Sequence, residues 1–294
     1  MIVMKFGGTS VGVPEHFRVA IRLVTERARQ DPIVVVSALS GVTNLLIEFC
    51  REPGSRRELA ERLIERHLRH ARDASVDSAC VADLLDAWRR ESAALIPRTT
   101  PLVGEDRDRV LSYGERLAAE LFAVALRSQG LDARAMTAGD VGFVTDDRFG
   151  AAHPLPEASL ELRRSLARRP PLPVVTGFLG RTRDGRPTTL GRGGSDFSAA
   201  VIGAALGSEE IQIWTDTSGM LSADPRVVPE ARPVPHLSFA EASELAYFGA
   251  RVLHPKTLLP AMERGIPVRV LHTARPELAG SRITAARRSP CDTI

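Results

Sequence analysis

Residues 1–12 read MIVMKFGGTSVG. The apolar run from Met1 to Phe6 is long enough for a strand, and it holds one lysine just ahead of two glycines, a threonine and a serine. The next segment, Pro14 to Gln30, has helical spacing, with Phe17, Ile21, Val24 and Ala28 on one face. Pro14 and Glu15 suit a helix's first turn. Lys5 is therefore expected where a strand gives way to a glycine-rich turn ahead of a helix. Backbone N–H groups in such turns point outward together and cradle phosphate. Of the 39 Lys and Arg residues, only Lys5 and Lys256 are lysines. A chain that writes nearly every cation as arginine keeps a compact ammonium here, which suggests a task that a planar guanidinium does less well.

Outward from this stretch, strand and helix alternate. IVVVSA (33–38), entered from the Asp31-Pro32 turn, reads as a buried strand leading through LSGVTN into a helix. From Ser55 to about Ile96 the chain is charged and helical, with Leu59, Leu63, Leu68, Val81, Leu84, Leu85 and Trp88 as its inward stripe. A further helix spans about Asp106 to Ser128 and ends at Gly130, a left-handed cap. Strand-like runs follow at 133–136 and 173–178, then a hairpin at Asp184-Gly185, a glycine turn, a small-residue helix and the strand IQIWT (211–215). Ser238 and Glu241 have capping-box spacing. Pro255 opens a helix, Gly265 closes it, and residues 266–271 supply a last strand. This alternation implies an α/β fold with a mainly parallel sheet. The polar ending from Pro276 is expected to be a poorly ordered tail.

Composition narrows the function. The 294 residues suffice for one large domain or two small ones. No apolar run approaches the roughly 18 residues of a membrane span, and the N-terminus lacks a secretory pattern; a cytoplasmic protein is expected. Cys50, Cys80 and Cys291 are far apart, without metal-ligand spacing, and read as reduced structural residues. The net charge is only +3, and acids and bases interleave in stretches such as RRELAERLIERHLRHARD (56–73). That pattern reads as a solvated helix face, His67 and His70 included, rather than a nucleic-acid patch. Neither nucleic acid nor membrane is expected as a partner. His254 reads as structural and Lys256 as a surface or helix-terminal residue.

Four small-residue turns follow expected strands: KFGGTS (5–10), SALSGVTN (37–44), GRGGSD (191–196) and TDTSG (215–219). Open parallel sheets bind ligands beyond the carboxyl ends of their strands. KFGGTS is not a Walker A motif, because its lysine precedes the glycines, and GRGGSD lacks the spacing of a dinucleotide fingerprint. Together, with Lys5, Arg192, Asp196, Asp216 and Asp224 at their edges, the four turns indicate a phosphate site.

These turns, with SYGE (112–115), GFLGRTRDGRPTTLGRGGSDFSAA (177–200), WTDTSGMLSADPR (214–226) and EASELAYFGARVLHP (241–255), closely resemble the successive motifs of the aspartokinases. Those enzymes belong to the amino-acid kinase superfamily, and the resemblance runs in order from Ile2 to about Thr284. It implies a three-layer αβα sandwich that transfers the γ-phosphoryl of ATP, with Mg²⁺, to the β-carboxylate of L-aspartate, giving 4-phospho-L-aspartate. The catalytic domain would span 1–275, with the amino acid bound by about 1–170 and the nucleotide by about 171–275, before a tail at 276–294.

By the same resemblance Lys5 faces the transferring phosphoryl, and Asp196 orients Lys5 and Arg251. Ser37 and Thr43 lie beside the amino acid; Glu115 receives its α-ammonium and Arg192 its α-carboxylate, with Ser195 nearby. Gly7, Gly8 and Ser10 line the phosphates, while Thr215, Asp216, Asp224 and Arg226 contact the nucleotide. Metal ligands stay open. The chemistry is coherent, because a carboxylate acceptor is already ionised at pH 7 and needs no general base. What must be overcome is repulsion between two anions, by positioning and positive charge.

The departures from the pattern are informative. Arg251 stands where aspartokinases usually have lysine, which points to slower turnover. Thr217, Ser218 and Leu221 replace the valine, proline and tyrosine common in the nucleotide segment, which puts nucleotide preference in question. Aspartokinases usually continue into regulatory ACT domains, and only about ten residues follow the matching segment here; a catalytic module without built-in inhibition by lysine or threonine is expected. A kinase for another small amino-acid carboxylate, a weakly catalytic regulatory subunit, a homodimer and a separate regulatory or reductase partner all stay open.

Overall fold

Alternating buried runs pair into one eight-stranded sheet in a computed structural model that describes residues 1–167, 171–224, 227–248 and 253–285. In chain order the elements are β1 (Ile2–Phe6), α1 (Gly8–Gly12), α2 (Pro14–Glu26), β2 (Pro32–Val36), α3 (Val42–Arg51), α4 (Arg56–Asp73) and α5 (Ala82–Leu95). Then come α6 (Gly104–Ser128), β3 (Ala133–Met136), α7 (Ala158–Leu166), β4 (Leu172–Thr176), β5 (Leu179–Arg181), β6 (Pro187–Thr189) and α8 (Gly194–Leu206). The last are β7 (Glu210–Thr215), β8 (His236–Ser238), α9 (Phe239–Phe248), α10 (Leu259–Glu263), β9 (Val268–His272) and β10 (Ser281–Thr284).

The strand order is β3-β4-β2-β1-β7-β9-β10-β8, parallel throughout except between β9 and β10. β1 lies near the middle, with Lys5 in register with Val35 of β2 and Ile213 of β7. Successive strand residues face opposite ways. Ile2, Met4 and Phe6 enter the core beneath α2 to α6, while Val3 joins the core beneath α7, α8 and α10. Strands buried on both faces carry unbroken apolar runs, as IVVV does here. The result is the expected αβα sandwich. Among the described residues no helix is long and apolar enough to cross a membrane.

Local chemistry sets several boundaries. The capping box forms: Ser238 N donates to Glu241 Oε2 at 2.8 Å, and Glu241 N to Ser238 Oγ at 3.2 Å. Gly185, at φ +91°, turns the β5–β6 hairpin. Arg56 is fully buried and its guanidinium donates to the carbonyls of Phe49, Cys50, Leu95, Arg98 and Thr100. It thereby gathers the C-terminal ends of α3 and α5, whose last carbonyls lack helical partners.

Four expectations need correction. The stretch after β1 is not an open glycine turn but a single helical turn, α1, with Val11 N donating to Gly7 O at 3.1 Å; a Cβ at Gly12 would stand 2.3 Å from Ser40 N, so only glycine admits its packing there. The next helix stops at Glu26, and Ala28 lies half-buried in a 3₁₀ turn. Residues 281–284 of the supposed tail form β10: Ser281 and Ile283 alternate inward, and Gly280 at φ +66° lets the chain turn back against β9. His67 and His70 are not on a solvated face but wholly buried. His67 donates from Nδ1 to Leu63 O at 2.8 Å; His70 packs edge-on to Phe17 with both ring nitrogens unpartnered.

Burial pushes both histidines down to about 4, with Arg66 adding repulsion at each and Asp73 opposing it at His70. The unfolded chain takes up these protons near pH 6.5, so the stabilisation is complete above that pH and is lost as pH falls towards 4. In urea titrations, His70→Leu should gain on the native chain by up to about 1.4 kcal/mol per pH unit below pH 6.5. Parallel stability curves for the two proteins would contradict this.

Candidate active site

At the carboxyl ends of β1, β2 and β4 the sheet opens into a cleft of about 640 Å³, walled also by the N-terminal half of α6 and the start of α8. Lys5 lies at its floor, only 7% exposed, with Nζ 2.6 Å from Asp196 Oδ1. The contact is an ion pair whose alignment falls short of a hydrogen bond. Asp196 comes from the first turn of α8, which begins after Gly193 at φ +71°. A Cβ at Gly177 would stand 2.7 Å from Ser195 Cβ, so the GFLG glycine lets the end of β4 approach this turn.

The opposite wall depends on SYGE. A Cβ at Gly114 would stand 2.8 Å from that of Ala38, so the glycine lets α6 close on the loop after β2. Glu115 then accepts a hydrogen bond from Ala38 N at 3.1 Å through Oε1, while Oε2 is buried with no partner. Burial pushes its carboxyl up to about 8, against the opposing effect of that hydrogen bond. An orphaned buried carboxylate oxygen calls for a donor from outside the protein. A bound ammonium would supply one.

Ser37, Thr43, Gly8, Ser195 and the exposed Arg192 line the same cleft. Arg192 rides on a loop between Gly191 and Gly193, both at positive φ. The structure thus gathers Lys5, Gly8, Ser37, Thr43, Glu115, Arg192, Ser195 and Asp196 around one cavity. The other residues expected to contact the nucleotide lie outside its lining. Gly7 N donates to Trp214 O at 3.0 Å, and the buried Ser10 hydroxyl is committed to Trp214 O and Thr273 Oγ1. Both brace strand ends instead of offering free donors. Thr215 bonds Asp216 at the end of β7, and Asp224 follows in the next loop. Arg226 and Arg251 lie outside the described residues.

Sequence reading passed over several lining residues, among them Phe178, Arg107 and Thr189. Phe178, at φ +63°, turns the chain at the end of β4; its left-handed backbone leaves no mark in a single sequence. Arg107 and Thr189 come together through the buried Asp108, which bonds residues 42 and 81 positions away. Lys256, expected at the surface, is half-buried, donating to Leu190 O at 3.1 Å below the Arg192 loop.

Comparison with known proteins agrees with this geometry. Aspartokinase 3, chloroplastic, of Arabidopsis thaliana is 40% identical over 97% of this chain and 53% of its own length. The lysine-sensitive aspartokinase 3 of Escherichia coli is 37% identical over 99% of this chain and 65% of its own length. The crystal structure of E. coli aspartokinase III in complex with aspartate and ADP superposes with a TM-score of 0.85 at 35% identity, covering 97% of this chain and 64% of that one. The chain therefore spans between about half and two thirds of these relatives. The model of the amino acid kinase family matches residues 1–272. A mainly parallel sheet with a lysine near the end of a central strand, in a chain matched by the family over residues 1–272, makes this chain a member of the amino acid kinase family.

Proposed function

We propose that the chain transfers the γ-phosphoryl group of ATP to the β-carboxylate of L-aspartate. The observation that carries this reading is the pairing, across one cleft, of a buried carboxylate with a free oxygen and a guanidinium, above a buried ammonium. Glu115 and Arg192 suit the two ends of a zwitterion, and Lys5 suits the anions that must meet. The likeness to a protein crystallised with aspartate and ADP supports the same substrates.

In this mechanism Glu115 takes the α-ammonium and Arg192 the α-carboxylate, holding the β-carboxylate towards Lys5. A β-carboxylate oxygen attacks the γ-phosphorus as the bond to the β,γ-bridging oxygen breaks, and ADP departs with that electron pair. No proton needs to move. Lys5 neutralises charge on the phosphoryl in flight, which is where preorganised positive charge is worth most. Asp196 keeps the ammonium extended towards the cleft. Among the described residues no three His, Cys, Asp or Glu side chains converge on a metal site. Mg²⁺ bound to the triphosphate would lessen its charge.

Trapping the acyl phosphate with hydroxylamine tests the reaction: L-aspartate should yield a hydroxamate in step with ADP, and L-glutamate and D-aspartate should not. ADP formed without hydroxamate would overturn the reading. Lys5→Ala should lower kcat by about 10²–10³-fold or more. Because it strands Asp196, the double variant Lys5→Met with Asp196→Asn separates chemistry from folding: it should melt near the native temperature yet stay inactive.

Glu115 sets a pH dependence. Its carboxyl is largely protonated in the empty site below pH 8, and only the ionised form attracts an ammonium. Aspartate binding should therefore release a proton and tighten by up to about tenfold per pH unit from pH 6 to 8, then level off. Calorimetry in buffers of different ionisation enthalpy reads both effects. A flat affinity, or the same slope in Glu115→Gln, would exclude this role.

A further inference from the structure

Asp108 is fully buried, and it accepts hydrogen bonds from Gly150 N at 2.8 Å, Thr189 N at 2.7 Å and Thr189 Oγ1 at 2.9 Å. These bonds draw the 149–151 loop and the end of β6 against α6. They also fix the surroundings of Arg107, the residue just before it, which lines the cleft together with Arg192. A Cβ at Gly150 would stand 2.8 Å from Arg107 Nη1, and one at Gly191 would stand 3.1 Å from Gly150 O. A side chain at Gly150 has no room beside the Arg107 guanidinium, nor one at Gly191 beside the Gly150 carbonyl, so the three segments pack closely.

Arg107 is half-buried and feels the charge of Asp108, and its guanidinium has no hydrogen bond or ion pair with any described residue. Arg109, two positions on, is engaged by Glu91, Glu105 and Asp106. A guanidinium has five donors and no acceptor, and its strongest complement is a carboxylate or phosphate. With Glu115 ionised, the lining of the cleft carries three cations, Lys5, Arg107 and Arg192, against two acids, Glu115 and Asp196, while Asp108 stands behind Arg107 outside the lining. A neutral zwitterion would leave that excess unmatched; an amino acid with an added carboxylate matches it.

Resting on the reading of this cleft as an amino-acid site, we propose that Arg107 is a second carboxylate-binding residue, closing with Arg192 on the substrate's α-carboxylate. Arg192 approaches from the exposed loop and Arg107 from α6, so two planar forks converge on one carboxylate. The half-buried fork is braced by the Asp108 clamp and is the less mobile of the two.

Calorimetric titration of L-aspartate into the native chain, Arg107→Met and Arg107→Lys tests this, alongside L-aspartic acid α-amide, which keeps the ammonium and the β-carboxylate. Arg107→Met should weaken aspartate about 10–100-fold and Arg107→Lys less. For the α-amide the loss should shrink to within about twofold, because the partner of the guanidinium is gone. A purely structural role would weaken both ligands alike. Native-like aspartate affinity in Arg107→Met, or an equal loss for the α-amide, overturns the assignment; where the methionine variant fails to fold, Arg107→Lys gives the same comparison. The titration reads binding alone, so a chain that binds aspartate but forms no hydroxamate refutes phosphoryl transfer and leaves Arg107 still tested. A native chain that binds no aspartate refutes the substrate and, with it, this role for Arg107.

Discussion

The ion pair between Lys5 and Asp196 is the constraint around which the rest is arranged. Its ammonium stands on a strand held from both sides by β2 and β7, so it cannot retreat without breaking the middle of the sheet. At 7% exposure an unpaired charge would be costly, and removing one member of a buried pair typically costs about 3–5 kcal/mol. α8 must therefore begin where it does, with its first turn over the end of β1. That requirement explains the glycines of GRGGSD, which bend the chain sharply into the helix. A buried cation with one acid as its partner suits the phosphoryl transfer proposed above, because the acid keeps the charge tolerable in the empty site.

The cleft walls follow from contacts between backbones. Gly12 against Ser40, Gly114 against Ala38 and Gly177 against Ser195 each bring two segments closer than any side chain allows. Three elements are thereby locked to the loop after β2 or to α8, and the polar groups between them keep fixed separations. Rigidity of this kind lets a site act by position instead of by proton transfer.

How much of this was readable in the sequence depends on the range of the interactions. β1 and its lysine, the Ser238–Glu241 box and the Asp184-Gly185 hairpin are local patterns, and each stands as read. The histidines were misplaced because charge dominates the look of residues 56–73. Their spacing from Leu59 and Leu63 continues the buried stripe, and that period was the better guide. β10 could not be foreseen from composition, since four residues become a strand only when β9 and β8 offer their edges. Arg107 escaped notice for a similar reason: what brings it to the cleft is Asp108 reaching across to Gly150 and Thr189. On the nucleotide side, Gly7 and Ser10 matched a motif, yet their polar groups are spent on Trp214 and Thr273.

Arg56 has a consequence of its own. Its charge is met by carbonyl dipoles and the face of Phe49, without a carboxylate among its hydrogen-bond partners. Guanidinium stays charged at any accessible pH, and carbonyls do not titrate. Dissolved ions screen exposed charges far more than a sealed one. The junction of α3, α4 and α5 is thus an electrostatic knot with nothing to protonate and little to shield. It should hold its shape in brine while the surface pairs around it loosen.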